Sequence, residues 1–220
     1  MAMDVHKESA VPAAPRVYRT FADLLATPAG IICIDIPIGL SDGPRACDLE
    51  ARRAIGHPGG SRVFRPLCRE ALAANTYGEA CEISRGLTGK AISQQAFHIR
   101  RKIAEVDGSM MPALQERVRE VHPEVCFRAL TSDFLPNKKT APGRALRWQL
   151  LRSVCPTLPE SALLPAGLHG ECGLDDYLDA LVAAWTGVCI LRRTARRIPE
   201  PPQIDEHGLR MEIWRPATAR

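Results

Sequence analysis

The chain has 220 residues, of which 45% are apolar and 25% charged, with 16 glycines and 18 prolines. That is enough for one sizeable core, and it excludes disordered and collagen-like chains. Twenty-nine Lys and Arg against 25 Asp and Glu leave a formal charge of +4, which permits an anionic partner without demanding one. No apolar run approaches the roughly 18 residues of a membrane span, and Met1 to Pro15 lacks the apolar core of a secretory signal. The expectation is a soluble, cytoplasmic protein with no membrane association. The eight cysteines form no C-x-x-C pair and sit near no histidine at zinc-finger spacing, so they read as reduced thiols filling the core.

Residues 1–15 show no periodicity and include Pro12 and Pro15, which predicts a flexible N-terminal tail before a single domain over 16–220. Phe21, Leu24 and Leu25 predict a short helix, closed by Pro28 and Gly30. Ile31-Ile32-Cys33-Ile34-Asp35-Ile36 reads as a strand buried on both faces. Pro37 stops that strand and leaves Asp35 next to its C-terminal end, where open α/β sheets place their chemistry. Helices are then predicted over about 45–55, 67–84, 93–106 and 112–120, punctuated by glycines. Val118 to His122 reads as the end of a helix or as a short strand, and Pro123 pushes His122 toward an extended conformation, in which Glu120, His122 and Glu124 would share one face. A loop over 135–143 carries Lys138 and Lys139, and a helix with Leu146, Leu150 and Leu151 on one side comes next. After a proline-broken stretch over 156–165, the last long helix runs from about 174 to 194. Its apolar face is Leu178, Leu181, Val182, Trp185 and Val188, and it opens with Asp175, Asp176 and Asp179. Pro199, Pro201 and Pro202 predict a rigid linker to a strand over 209–214, with Arg210 and Glu212 on its wet face.

Two-metal phosphoryl chemistry needs several carboxylates around Mg²⁺ or Mn²⁺, because hard cations take oxygen ligands. Asp35 and the cluster Asp175, Asp176 and Asp179 have that chemistry, and positions 176 and 179, or 175 and 179, fall on one helix face. Glu120 and Glu124 are candidates to complete such a site. Each residue also has a structural reading. Acidic residues at a helix start complement the macrodipole or cap it. Asp35 could hydrogen-bond a neighbouring loop, and Glu120, His122 and Glu124 could form an exposed charged edge. Lys138 and Lys139 read either as a solvated loop or as phosphate contacts. Arg192, Arg193, Arg196 and Arg197 satisfy a helix C-terminus before they suggest a nucleic-acid patch.

Several segments together are specific: Ile34-Asp35-Ile36-Pro37-Ile38-Gly39-Leu40, Arg45-Ala46-Cys47-Asp48 with Ala51-Arg52, Lys102-Ile103-Ala104-Glu105-Val106-Asp107, Glu120-Val121-His122-Pro123-Glu124, Lys138-Lys139-Thr140 and Asp175-Asp176-Tyr177-Leu178-Asp179-Ala180. In order and spacing they resemble the bacterial and archaeal domain of unknown function 429 family, predicted RNase H-like nucleases, over about residues 17–216. The resemblance implies an RNase H-like α/β fold, a mixed five-stranded sheet flanked by helices, with an acidic site for Mg²⁺ or Mn²⁺. It implies Asp35, Asp176 and Asp179 as metal ligands and Asp175 as a further ligand or cap; it assigns no role to Glu124, which the residues themselves offer as the next ligand or base. Glu120 and His122 would lend support, and Arg45, Lys138 and Lys139 would meet the phosphates of a nucleic acid. The family's opening strand, with its G-V-D-G-like turn, has no counterpart here, since Met3-Asp4-Val5 lacks both the preceding apolar run and the following glycines. A first strand or hairpin that is missing or degenerate would free a sheet edge and favour a homo-oligomer. The rival expectation is a catalytically degenerate binding or assembly domain. A sugar-kinase-like phosphotransferase fits less well, because no glycine-rich phosphate loop opens the chain.

Overall fold

The structure is a computed structural model that describes residues 3–5, 10–161 and 163–218. In chain order it contains β1 (Met3–Val5), β2 (Ala10–Pro12), α1 (Phe21–Leu25), β3 (Ile32–Ile34), α2 (Ala46–Ile55), α3 (Tyr77–Thr88), α4 (Gln94–His98), α5 (Arg100–Ser109) and β4 (Val118–Glu120). The remaining elements are α6 (Pro123–Leu130), α7 (Ala141–Val154), α8 (Leu174–Leu191), β5 (Ala195–Ile204) and β6 (Arg210–Pro216). The class is mixed α/β. Among the described residues the strands pair in twos, β1 with β2, β3 with β4 and β5 with β6, in place of the five-stranded sheet expected. A parallel bridge joins Val121 to Trp214. No helix is long and apolar enough to cross a membrane among the described residues. All eight cysteines are free thiols.

The chain gathers into two compact units. The first comprises residues up to Cys33, Val121–Arg196 and Trp214 onward. Its core is built on α6, α7 and α8 from Phe127, Trp148, Leu151, Leu178, Leu181 and Val182. The apolar face expected on the last helix is therefore the buried one, with Trp185 half-buried at its edge. Gly187 of α8 faces Ile31 and Cys33 at ordinary van der Waals distance. α1 starts at a capping box in which Thr20 and Asp23 bond each other's backbone N–H groups. Where a flexible tail was expected, β1 and β2 pair antiparallel, Met3 opposite Pro12, and pack against α8. Residues 1, 2 and 6–9 of that segment lie outside the described residues.

The second unit comprises Ile34–Glu120 and Arg197–Ile213. Its core gathers Leu40, Leu67, Ala71, Ala80, Cys81, Ala96 and Ile103. Five sequence expectations change here. The helix expected over 67–84 breaks into a 3₁₀ turn at Arg69–Ala73 and α3, because the Thr76 side chain accepts from the Glu79 N–H and Glu79 reaches back to the Asn75 N–H. The helix expected over 93–106 starts at Ser93, which caps it, and breaks at Ile99 into α4 and α5. Pro112 opens a short 3₁₀ turn to Glu116, after which the chain extends into β4. The prolines expected to make a linker lie inside β5, which pairs on one side only and so tolerates missing N–H donors. The face of β6 expected to be wet is only partly so: Glu212 is buried and takes Arg197 and Arg210 at 3.4 Å each.

Candidate functional site

In the second unit, the chain turns sharply after β3 and presents Asp35 exposed to solvent. The segment from Ile38 to Leu40 is fixed from three sides. The Ile38 N–H donates to Glu120 Oε2 at 2.8 Å, and the same oxygen takes Arg45 Nη2 at 2.5 Å. Arg45 Nη2 also donates to the Ile38 carbonyl at 3.4 Å, so one ion pair holds both backbone groups of Ile38. Asp48, one turn along α2, stands 3.4 Å from Arg45 Nη1. Gly39 has φ of +76°, and a Cβ there would lie 2.8 Å from Met211 Cγ, so glycine answers both the backbone and the space. The Leu40 N–H donates to Asp205 Oδ2 at 3.2 Å. Asp205 is itself held by Arg69 at 2.7 Å and by the N–H groups of His207 and Leu209 in the β5–β6 turn.

The electrostatics derive from burial. Burial and Asp48 push the Glu120 carboxyl up to about 7, against the pull of Arg45 and the Ile38 N–H. Burial alone would lower the Arg45 guanidinium, but Glu120 and Asp48 carry it above its usual range. For Asp205, burial is outweighed by Arg69 and the Leu209 and Leu40 amides, which leave the carboxyl below the usual carboxylate range. Arg45, expected to meet phosphates, is 1% exposed and committed to Glu120, Asp48 and Ile38, so no phosphate in solvent reaches it. Glu120 is a clamp on the segment behind Asp35.

In the first unit, His122 ends the extended stretch and stands at the N-cap of α6, with Pro123 at its first turn. Glu124 is therefore helical and does not share an extended face with Glu120, as the expectation over this segment had it. It is buried, and Arg147 Nη2 donates to its Oε1 at 2.6 Å. Arg147, fully buried, also donates to the carbonyls of Pro136 and Gly143, which ties the lysine-bearing loop to α7. The His122 ring is half-buried, and its Nδ1 has no hydrogen-bond partner among the described residues.

At the start of α8, exposed Asp176 accepts the Gly173 N–H at 3.0 Å through Oδ2 and so caps the helix. Asp175 is half-buried beside it, and Asp179, one turn on, is ion-paired with Lys138. Lys138 therefore meets a carboxylate, whereas Lys139 is exposed. The α8 carboxylates are hard oxygen ligands of the kind Mg²⁺ or Mn²⁺ takes, with Lys138 supplying positive charge at Asp179. Among the described residues the α8 carboxylates form no group of three whose ligand atoms lie within 4.8 Å of one another; Asp42, Cys68 and Glu70 do, as does a second group, Cys47, Asp48 and Glu120. It does not fit a cation: Arg45 already stands there, and burial pushes the Cys47 thiol up.

The model of a family described as protein of unknown function (DUF429) matches residues 2–204. The chain belongs to this family. Neither a curated protein nor a solved structure matches it. As a DUF429 protein it joins three of the recognised segments physically, since Glu120 of E-V-H-P-E binds Ile38 of the I-D-I-P-I-G-L segment and Arg45 of the next. Sequence reasoning missed Arg147, Asp205 and Arg69. Arg147 carries a signal in hindsight, an arginine on the apolar side of a leucine-patterned helix, but Asp205 lies in a polar turn that nothing local distinguishes.

Proposed function

We propose that this DUF429 protein is a metal-dependent nuclease of RNase H-like fold that hydrolyses phosphodiester bonds in nucleic acid. The observation that carries the reading is Asp35: an exposed carboxylate just past a strand end, on a segment whose later residues are held by Glu120, Arg45 and Asp205. Bracing the backbone that follows a carboxylate with buried charges is a support that a preorganised ligand uses. Asp175, Asp176 and Asp179 are the proposed ligands on α8, and Lys139 the exposed cation for the substrate's phosphates. A divalent cation supplies Lewis-acid activation of water and neutralises charge at the scissile phosphate.

The test is Mn²⁺-dependent cleavage of labelled single-stranded, duplex, hybrid and branched nucleic acids, with Asp35→Asn, Asp176→Asn and Asp179→Asn assayed beside the wild type. Cleavage lost in folded Asp35→Asn supports the reading, and cleavage equal in wild type and all three variants refutes it. A second reading, a binding domain without catalysis, is favoured by the carboxylates already spent on internal cations: Glu120 on Arg45, Glu124 on Arg147 and Asp179 on Lys138. It expects no cleavage and Mn²⁺ binding no tighter than about millimolar.

A further inference from the structure

The second unit holds an open cavity of about 460 Å³ that the metal chemistry does not use. It lies where the last turn of α2, the 3₁₀ turn at Gly59–Arg62 and the segment ahead of α4 meet. Arg52 and Arg65 both line it, and no acidic residue does among the described residues. Each guanidinium is anchored by one donor to a backbone carbonyl, Arg52 Nε to Val63 at 2.9 Å and Arg65 Nη2 to Asp42 at 2.8 Å. Neither forms an ion pair among the described residues. The two Nη groups of Arg52, and Nε and Nη1 of Arg65, have no protein partner there. Arg52 also complements the C-terminus of α2, which accounts for its charge but not for a second unpaired guanidinium in the same cavity. Ser93 adds a hydroxyl: its Oγ accepts the Ala96 N–H, which leaves its proton to donate. The remaining wall combines the hydroxyls of Ser61 and Ser84 with half-buried Phe64 and buried Ile92.

Two positioned guanidiniums without counter-charges and a hydroxyl donor match an oxyanion with several acceptor oxygens, and arginine forks suit phosphate. An aromatic face and an aliphatic residue beside them suit a planar heterocycle, and the volume suits a ligand of nucleotide size. We propose that this cavity binds a nucleotide through its phosphate, held by Arg52, Arg65 and Ser93, with the base against Phe64. The phosphate belongs either to a free nucleotide or to a residue of a strand. This site does not depend on the nuclease reading, since its ligand is recognised without a metal.

The test is calorimetric titration of the whole chain with AMP, adenosine and the dinucleotide ApA, in EDTA so that metal sites contribute nothing. AMP is expected to bind at one site and adenosine not to. Arg65→Ala removes a charge held only by one carbonyl, and is expected to weaken AMP at least about tenfold. Ala91→Glu places a carboxylate at an exposed lining position without disturbing either arginine, and is expected to do the same. Melting curves verify that both variants fold. ApA binding as tightly as AMP assigns the site to a strand, and AMP alone to a free nucleotide; either supports the proposal. No saturable AMP binding up to about 10 mM, or affinity unchanged in both variants, overturns it.

Discussion

Arg147→Met removes the buried cation opposite Glu124 while keeping the length of the side chain. Arg147 is fully buried and Glu124 is 5% exposed, so the change leaves a carboxylate inside the first unit without its guanidinium. Breaking a buried pair from one side costs about 3–5 kcal/mol, and the Pro136 and Gly143 carbonyls lose their donor as well. About 4 kcal/mol corresponds to a melting temperature lower by about 8–16 °C in a chain of this size. Glu124→Gln keeps an acceptor for Arg147 and is expected to cost less, about 2–3 kcal/mol. The double variant is expected to be no less stable than Arg147→Met alone, because the neutral amide no longer needs a cation. Thermal unfolding followed by circular dichroism reads all four proteins. A fall of less than about 3 °C for Arg147→Met, or a double variant that falls by the sum of the singles, would refute the reasoning. Mn²⁺ titration of Glu124→Gln reads the rival assignment, since a metal ligand would lose affinity where an ion-pair partner loses stability.

The Glu120 carboxyl, raised to about 7 in the fold, binds a proton that the unfolded chain releases near 4.5, so its contribution to stability is full below 4.5 and is lost as pH rises to 7. The stability difference between wild type and Glu120→Gln is expected to shift by up to about 3 kcal/mol against the wild type across that window, and melting curves whose difference is flat with pH would contradict it. Gly39→Ala meets both a positive φ and Met211, and is expected to cost about 2 kcal/mol, whereas Gly86→Ala on the exposed face of α3 meets nothing and is expected to stabilise by up to about 1 kcal/mol. Equal melting temperatures for the two glycine variants would count against the clamp around Gly39.

The strand at Ile32–Ile34 and the last helix were legible because each lies in an apolar run or pattern, and the helix over Ala46–Ile55 because a proline–glycine turn stops it. The break at Thr76 was not, because a cap hydrogen bond of about 1 kcal/mol decides it and periodicity does not record it. The prolines of 199–202 read as a linker because pairing on one side only is a tertiary fact. Among the candidate residues, sequence located the charged positions but not their partners. Glu120 meets Arg45 across 75 positions and Glu124 meets Arg147 across 23, and such distances carry no local periodicity. The result is a sorting that sequence could not make: Asp35 and Asp176 face solvent, while Glu120 and Glu124 are interior.

That sorting bears on why the segment after Asp35 is held by charges at all. A buried ion pair is a weak source of stability, since desolvation offsets much of its attraction. Apolar side chains alone could have filled the space around Ile38 and Leu40, both 2% exposed. They could not have satisfied the Ile38 N–H, the Ile38 carbonyl and the Leu40 N–H, which lie in a segment that has left its strand and has no ladder to join. Glu120, Arg45 and Asp205 supply those partners from β4, the N-cap of α2 and the β5–β6 turn. The backbone behind Asp35 is thereby fixed in a non-repetitive conformation that no regular element would give, which is the reason to place chemistry there rather than at the buried acids that hold it.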